Sequence, residues 1–374
     1  MRLLIAPDKF RGTLTASQAA RAIETGWLRA RPHDFVDLLP LADGGEGTLD
    51  ALTDALGGET VTERVTGPLG DPVDAAYGIA GQEPGGLAIV ESARASGIAL
   101  VSEPRWNPLR STTRGTGELI RAALGRAPAR VIVCIGGSAT NDGGAGMAQA
   151  LGARLLDASG EPIQPGGAGL LELARIDVSG IERSLVRVSV IVASDVDNPL
   201  TGPRGASQVY GPQKGDSGDD VRLLDGALGH LAAIVHRDLA IDLRDAPGAG
   251  AAGGLGFGLM AFCGAKLRPG VEVVMEAVGF PDRLERADLV ITGEGKLDEQ
   301  SLHGKVPAGV IRVAWESGVP VAVVCGRADV ELPGIVTSSL VERFGEEQAM
   351  GETRPALERL AEELAARTDL VAPT

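Results

Sequence analysis

The chain has 374 residues and a formal net charge of −15, with 44% hydrophobic and 23% charged residues, which suits a globular protein of two domains. That charge argues against nucleic acid or an anionic membrane as the main partner, since both call for a basic face. Three unpatterned cysteines, Cys134, Cys263 and Cys325, argue against a disulfide frame or a zinc site and predict a cytoplasmic protein.

The opening MRLLIAPDKF is no signal peptide, because Pro7 and Asp8 break its apolar run. RLLIA (2–6) instead has strand length. Apolar residues at helical spacing follow over 15–30, with Thr15 or Ser17 as N-cap. Residues 34–42 read as a second strand opening into DGGEGT, so the rhythm is that of a parallel α/β sheet. Over 59–81, short alternating runs broken by Gly67-Pro68 and Gly70-Asp71-Pro72 predict hairpins. A helix is expected over 117–127 and strands over 130–137 and 186–195. Ala246–Ala265 is uncharged and long enough to suggest a membrane span, yet its seven glycines make it a loop leading into a short buried helix. Strands over 286–295 and 320–326 then flank a helix over 308–318. A short strand over 334–341 and an amphipathic helix over 354–370 close the chain.

These elements predict two α/β domains. A parallel-sheet domain is formed by both chain ends (1–64 and 283–374), with a mixed α/β domain inserted over 65–282 and the active site in the cleft between them.

Five apolar strands end in polar or glycine-rich loops: APDKFRGT, LADGGEGT, IGGSATNDGG, ASDVDNPL and VITGEGKLD. Open parallel sheets bind ligands where such loops emerge. In CIGGSATNDGGAG, Gly136 and Gly137 remove Cβ obstruction, so that successive amides can form an anion nest. Ser138 and Thr140 add hydroxyl donors; Asn141 and Asp142 either bind a ligand or cap the helix that follows. The run lacks the G-x-G-x-x-G pattern, which disfavours a dinucleotide cofactor, and GEGK followed by Leu297 is not a Walker A loop. Glu294 and Asp298 are either Mg²⁺ ligands or ordinary loop acids. Asp195 with Asn198 forms a pair of oxygens suited to Mg²⁺, or an Asx-turn before Pro199. Only five of 35 basic residues are lysine (Lys9, Lys214, Lys266, Lys296 and Lys305), and four of these sit in polar, glycine-flanked motifs. Such lysines mark places that need a compact ammonium, as phosphate does. Of four histidines only His303 is near a motif, and no hydrolase triad is evident.

IAPDKFRGTLTASQAARAI, ADGGEGT, RGTGELI, IGGSATNDGGAGMAQALGA, DVDNPLTG, GPQKG, PGAGAAGGLG and ITGEGKLDEQSLHGKVP, in this order, closely resemble the type 1 glycerate kinases of bacteria. The resemblance runs from Met1 to about Gly326. It implies a two-domain α/β fold with one flavodoxin-like domain. ATP, Mg²⁺ and D-glycerate are the implied reactants, with 2-phosphoglycerate the favoured product and 3-phosphoglycerate the alternative. Phosphoryl transfer needs positioning and charge neutralisation, and this chemistry suggests roles. Asp195 is the first choice for general base or Mg²⁺ ligand, and Asp43 the second. Lys9, Lys214 and Lys296 would neutralise phosphate oxygens, with Gly136 to Asn141, Gly293 and Gly295 around the nucleotide. Arg11 would hold the substrate carboxylate beside Asp8 and Lys9, because a bidentate fork suits it. The rival readings are a nicotinamide-dependent hydroxy-acid oxidoreductase and a non-catalytic sensor.

Overall fold

The computed structural model of the chain describes residues 1–10, 12–81, 85–302 and 304–367, so Arg11 and His303 lie outside the described residues. It divides into two compact units. One comprises Met1–Asp43, Asp50–Leu56 and Pro269–Thr374; the other comprises Gly44–Leu49 and Gly57–Arg268. In chain order the strands are β1 (Arg2–Ile5), β2 (Phe35–Leu38), β3 (Glu59–Thr66), β4 (Pro72–Ala80) and β5 (Leu87–Glu91). Next come β6 (Arg130–Cys134), β7 (Arg154–Leu156), β8 (Arg175–Asp177), β9 (Ser189–Ala193) and β10 (Lys266–Arg268). The last three are β11 (Leu289–Leu297), β12 (Val321–Ala328) and β13 (Val336–Ser339).

In the first unit, five strands form a wholly parallel sheet in the order β13-β12-β11-β1-β2. Central parallel strands are covered on both faces, which is why β1 and the start of β11 are continuous apolar runs. The helix Ala16–Ala30 packs on one face, burying Ile23 and Trp27 with Leu3, Ile5 and Leu357. Thr15 caps it: its hydroxyl accepts from the Gln18 amide, while the Gln18 side chain accepts from the Thr15 amide. β11 runs on through Gly293 and Gly295 to Leu297, past the loop start expected from the sequence. A Cβ on Gly293 would lie 1.8 Å from the Val324 carbonyl oxygen, so that glycine permits strand pairing.

In the second unit a six-stranded mixed sheet runs β10-β9-β6-β5-β4-β3. β10, β9, β6 and β5 are parallel, while β5-β4 and β4-β3 are antiparallel. The β3–β4 hairpin turns where the Gly67 amide donates to the Asp71 carbonyl, with Gly70 at φ 93°. β5, a short fully buried run between glycines and Ser92, is absent from the sequence reading. A second antiparallel pair joins β7 and β8. Ala252, Gly253 and Gly254 take left-handed backbone before the buried helix that reaches Cys263. The expected boundary at 64 falls inside β3, whose pairing with β4 holds the whole strand in this unit, and that at 282 falls inside the helix Phe280–Leu284. Among the described residues no helix is long and apolar enough to cross a membrane.

One contact in the first unit admits no side chain. A Cβ on Gly26 would lie 1.9 Å from the Glu358 carbonyl oxygen of the helix Thr353–Ala365. Gly26→Ala is expected to destabilise the protein by about 1–3 kcal/mol through overpacking, measured by urea unfolding. Gly351→Ala, whose methyl would meet nothing within 4 Å, is the neutral control.

Candidate functional site

In the second unit the loop after β6 has two halves with different duties. Its second half is buried structure. The Asp142 carboxylate, fully enclosed, accepts from the Thr113 amide and hydroxyl at 2.8 and 3.0 Å and from the Gly144 and Gly146 amides at 3.1 and 3.2 Å. Burial raises its pKa, and these four donors oppose the rise. Gly143 and Gly144 sit at φ 62° and 78° against Leu231 and Gly258, where any side chain would clash. Thr140 and Asn141 are also buried; Asn141 Nδ2 donates to Ser207 Oγ, while Thr140 Oγ1 and Asn141 Oδ1 have no hydrogen-bond partner among the described residues.

The first half faces a pocket of about 410 Å³. Gly136, Gly137 and Ser138 line it together with Lys214 and Gln213. Lys214, on the short turn Pro212–Lys214, is buried. Its ammonium donates to Ser138 Oγ at 2.8 Å and to the Thr140 carbonyl at 2.7 Å, both uncharged oxygens. Burial lowers its pKa to about 8, partly offset by the charges of Asp216 and Asp142. Asp195 is exposed at the carboxyl end of β9, between the pocket-lining residues Ser194 and Val196. Asn198 is tied within its own loop: Oδ1 accepts from the Tyr210 hydroxyl and Nδ2 donates to the Arg204 carbonyl, each at 2.7 Å. Its amide is thus engaged in holding the turn, which weakens its reading as a metal ligand. Glu91, unsuspected from the sequence, ends β5 with its carboxylate accepting from the Gly47 and Leu49 amides at 3.1 and 3.3 Å.

In the first unit the loop after β1 carries a second polar cluster. The Asp8 amide donates to the Gly293 carbonyl, and Asp8 Oδ1 accepts from the Lys9 amide at 2.6 Å. Asp8 is buried. Its pKa is raised to about 7 by burial first and by Asp43 next, against the pull of Lys9, and Glu294 pushes in the same upward direction. Glu294 is buried too, which raises its pKa, and among the described residues its Oε1 has no hydrogen-bond partner. Its Oε2 lies 3.6 Å from Lys305 Nζ. Lys305 is one of the five lysines singled out in the sequence, and no role is assigned to it there. Lys296, by contrast, is exposed between Asp329 at 3.0 Å and Asp298 at 3.3 Å. Those contacts satisfy both Lys296 and Asp298 locally, which takes support from their phosphate and metal readings. Gly293 and Gly295 lie within β11, not in a phosphate loop. Among the described residues no group of three or more His, Cys, Asp or Glu is arranged to hold a metal ion by itself.

Asp8 makes a testable contribution to stability. Its folded pKa of about 7 lies above the ordinary aspartate value of 3.8, so between these values the folded chain binds more protons, and stability falls as pH rises through about 7. Asp8→Asn removes that penalty. It should raise stability by about 2–4 kcal/mol near pH 8 and by much less near pH 5, as read by thermal melts at both.

The glycerate kinase family profile matches residues 3–373. A glycerate kinase of Halalkalibacterium halodurans is 52% identical over 324 residues, 87% of this chain and 85% of that one. A glycerate 2-kinase of Escherichia coli K12 is 48% identical over 326 residues, with 87% and 85% covered. A solved structure from Salmonella typhimurium LT2, assigned as glycerate kinase 2, superposes with a TM-score of 0.90 at 46% identity, covering 98% of this chain and 97% of that one. On these matches, the chain belongs to the glycerate kinase family.

Proposed function

We propose that the chain transfers the γ-phosphoryl group of ATP to the 2-hydroxyl of D-glycerate, giving 2-phosphoglycerate and ADP. The hydroxyl oxygen forms the new P–O bond, the bond to the ADP oxygen breaks, and the hydroxyl proton passes to a base. The Escherichia coli relative named glycerate 2-kinase supports the choice of hydroxyl. The observation that carries the reading is Lys214: a buried ammonium, facing a pocket, whose hydrogen bonds among the described residues go to two neutral oxygens. A cation so placed is completed by an anionic ligand, and the backbone of Gly136 and Gly137 beside it suits phosphate oxygens.

Asp195 remains the first choice to take the proton, with Asp43 second. Asp8 and Lys9 retain the acid-substrate role in this reading. Glu294, whose buried Oε1 has no hydrogen-bond partner among the described residues, would hold Mg²⁺ together with substrate phosphates, since Mg²⁺ takes one or two carboxylates plus phosphates. When bound, Mg²⁺ supplies charge neutralisation at phosphate oxygens. The strand order of the first unit, 2-1-3-4-5 when its own strands are counted, supports a flavodoxin-like reading. Three free, buried cysteines support a cytoplasmic location.

Lys214→Met separates a ligand cation from a structural one. It should lower kcat/KM for ATP by about 100-fold or more without lowering Tm, because the lost cation is costly to bury. In the wild type, kcat/KM should fall as pH rises through about 8, when the ammonium deprotonates; Lys214→Arg should lose that alkaline limb. A Lys214→Met enzyme with unchanged kcat/KM and a lowered Tm would assign the residue to structure. Phosphorus NMR of the product should show 2-phosphoglycerate.

A further inference from the structure

Lys214 explains one side of the pocket and leaves the other unexplained, because most of the wall is apolar. Trp106 lines it, yet its only polar atom is spent elsewhere: Nε1 donates to the Val101 carbonyl at 3.0 Å. Tyr210 also lines it, and its hydroxyl is given to Asn198. Both aromatic residues therefore offer the pocket ring surface, and Ile98, Ile135 and Val196 extend that surface. Trp106 also packs beside the residue that follows Lys214. Gly215, the residue after Lys214, takes φ 94°, and a Cβ there would approach Trp106 Cβ to 3.3 Å. Ring and ammonium are thus set by adjoining residues. A volume of about 410 Å³ lies in the range of small-molecule and cofactor sites, which are mostly apolar with a few placed polar groups.

Of the two reactants, only one has apolar surface to bury here. Every carbon of glycerate carries oxygen, and a three-carbon acid would leave the wall wet. A nucleotide has an aromatic base at one end and phosphates at the other. We infer that this pocket of the second unit seats the nucleotide, with its base against Trp106 and its phosphates toward Lys214 and Ser138. The inference rests on the kinase reading only in taking a nucleotide as the reactant.

Intrinsic fluorescence tests it. The Trp106 signal, taken as wild type minus Trp106→Phe, should change saturably with MgADP and stay flat with D-glycerate. Trp106→Ala should weaken MgADP binding about tenfold or more, as loss of base stacking does. It should leave the KM for D-glycerate and the inhibition by tripolyphosphate, which has no base, within twofold of wild type, an order-of-magnitude allowance for a site that keeps its cation. If Trp106→Ala does not fold, Trp106→Phe and the fluorescence difference decide alone. An enzyme that phosphorylates D-glycerate while MgADP leaves the Trp106 signal unchanged overturns the seat and keeps the kinase. A response to D-glycerate alone overturns it as well. A saturable MgADP response without phosphoryl transfer to D-glycerate keeps the seat and removes the kinase reading.

Discussion

Asp142 accepts four hydrogen bonds at a place water does not reach, and no cation among the described residues forms an ion pair with it. An ionised carboxylate there is tolerable only because two amides of its own loop and both donors of Thr113 replace its hydration. Those bonds fix the turn before the helix Ala145–Ala150 and anchor it to the start of the helix Arg114–Leu124. With the second half of the loop held in this way, the first half is free to present Gly136 and Gly137 to the pocket. The same carboxylate reaches Lys214 electrostatically and moderates the fall of its pKa. Asp142 thus organises the site without entering it.

The first unit solves the opposite problem. Asp8, Asp43 and Glu294 are like charges close enough to raise the pKa of Asp8, and burial works in the same direction. One cation is already supplied by Lys305 beside Glu294. Burial and like charge together disfavour ionisation of Asp8, and a cation from outside would reverse that balance. Asp298 and Asp329 share Lys296 on the surface, and such exposed pairs contribute little. Asp8 and Glu294 differ from Asp298 and Asp329 in burial, which residue type alone does not reveal.

That difference also marks what the sequence made legible. The parallel rhythm, the Thr15 cap and the loop after β6 were readable because each depends on neighbours within a few residues. β5 was missed because five buried residues between glycines carry neither alternation nor helical spacing. The strand expected over 286–295 extends to Leu297, and the reason for Gly293 within it, the approach of Val324, lies 31 positions away. Asn198 and Lys296 read as ligands until Tyr210, Arg204 and Asp329 were seen to engage them. Glu91 gave no signal at all, since a single acid after a strand is commonplace.

The scarcity of lysine carries one last step. Arginine supplies 30 of the 35 cations, 35 less the five lysines, so position 214 is an exception to the habit of this chain. The surroundings of Lys214 show why. Its ammonium sits between a hydroxyl and a carbonyl at 2.8 and 2.7 Å, a spacing that a point donor fills and a planar fork does not. An ammonium can also lose much of its hydration and shift its pKa toward 8, whereas a guanidinium stays charged in the same enclosure. A lysine here is a cation whose charge depends on what shares the pocket. An anionic ligand beside it would raise its pKa again, so that binding and protonation reinforce one another.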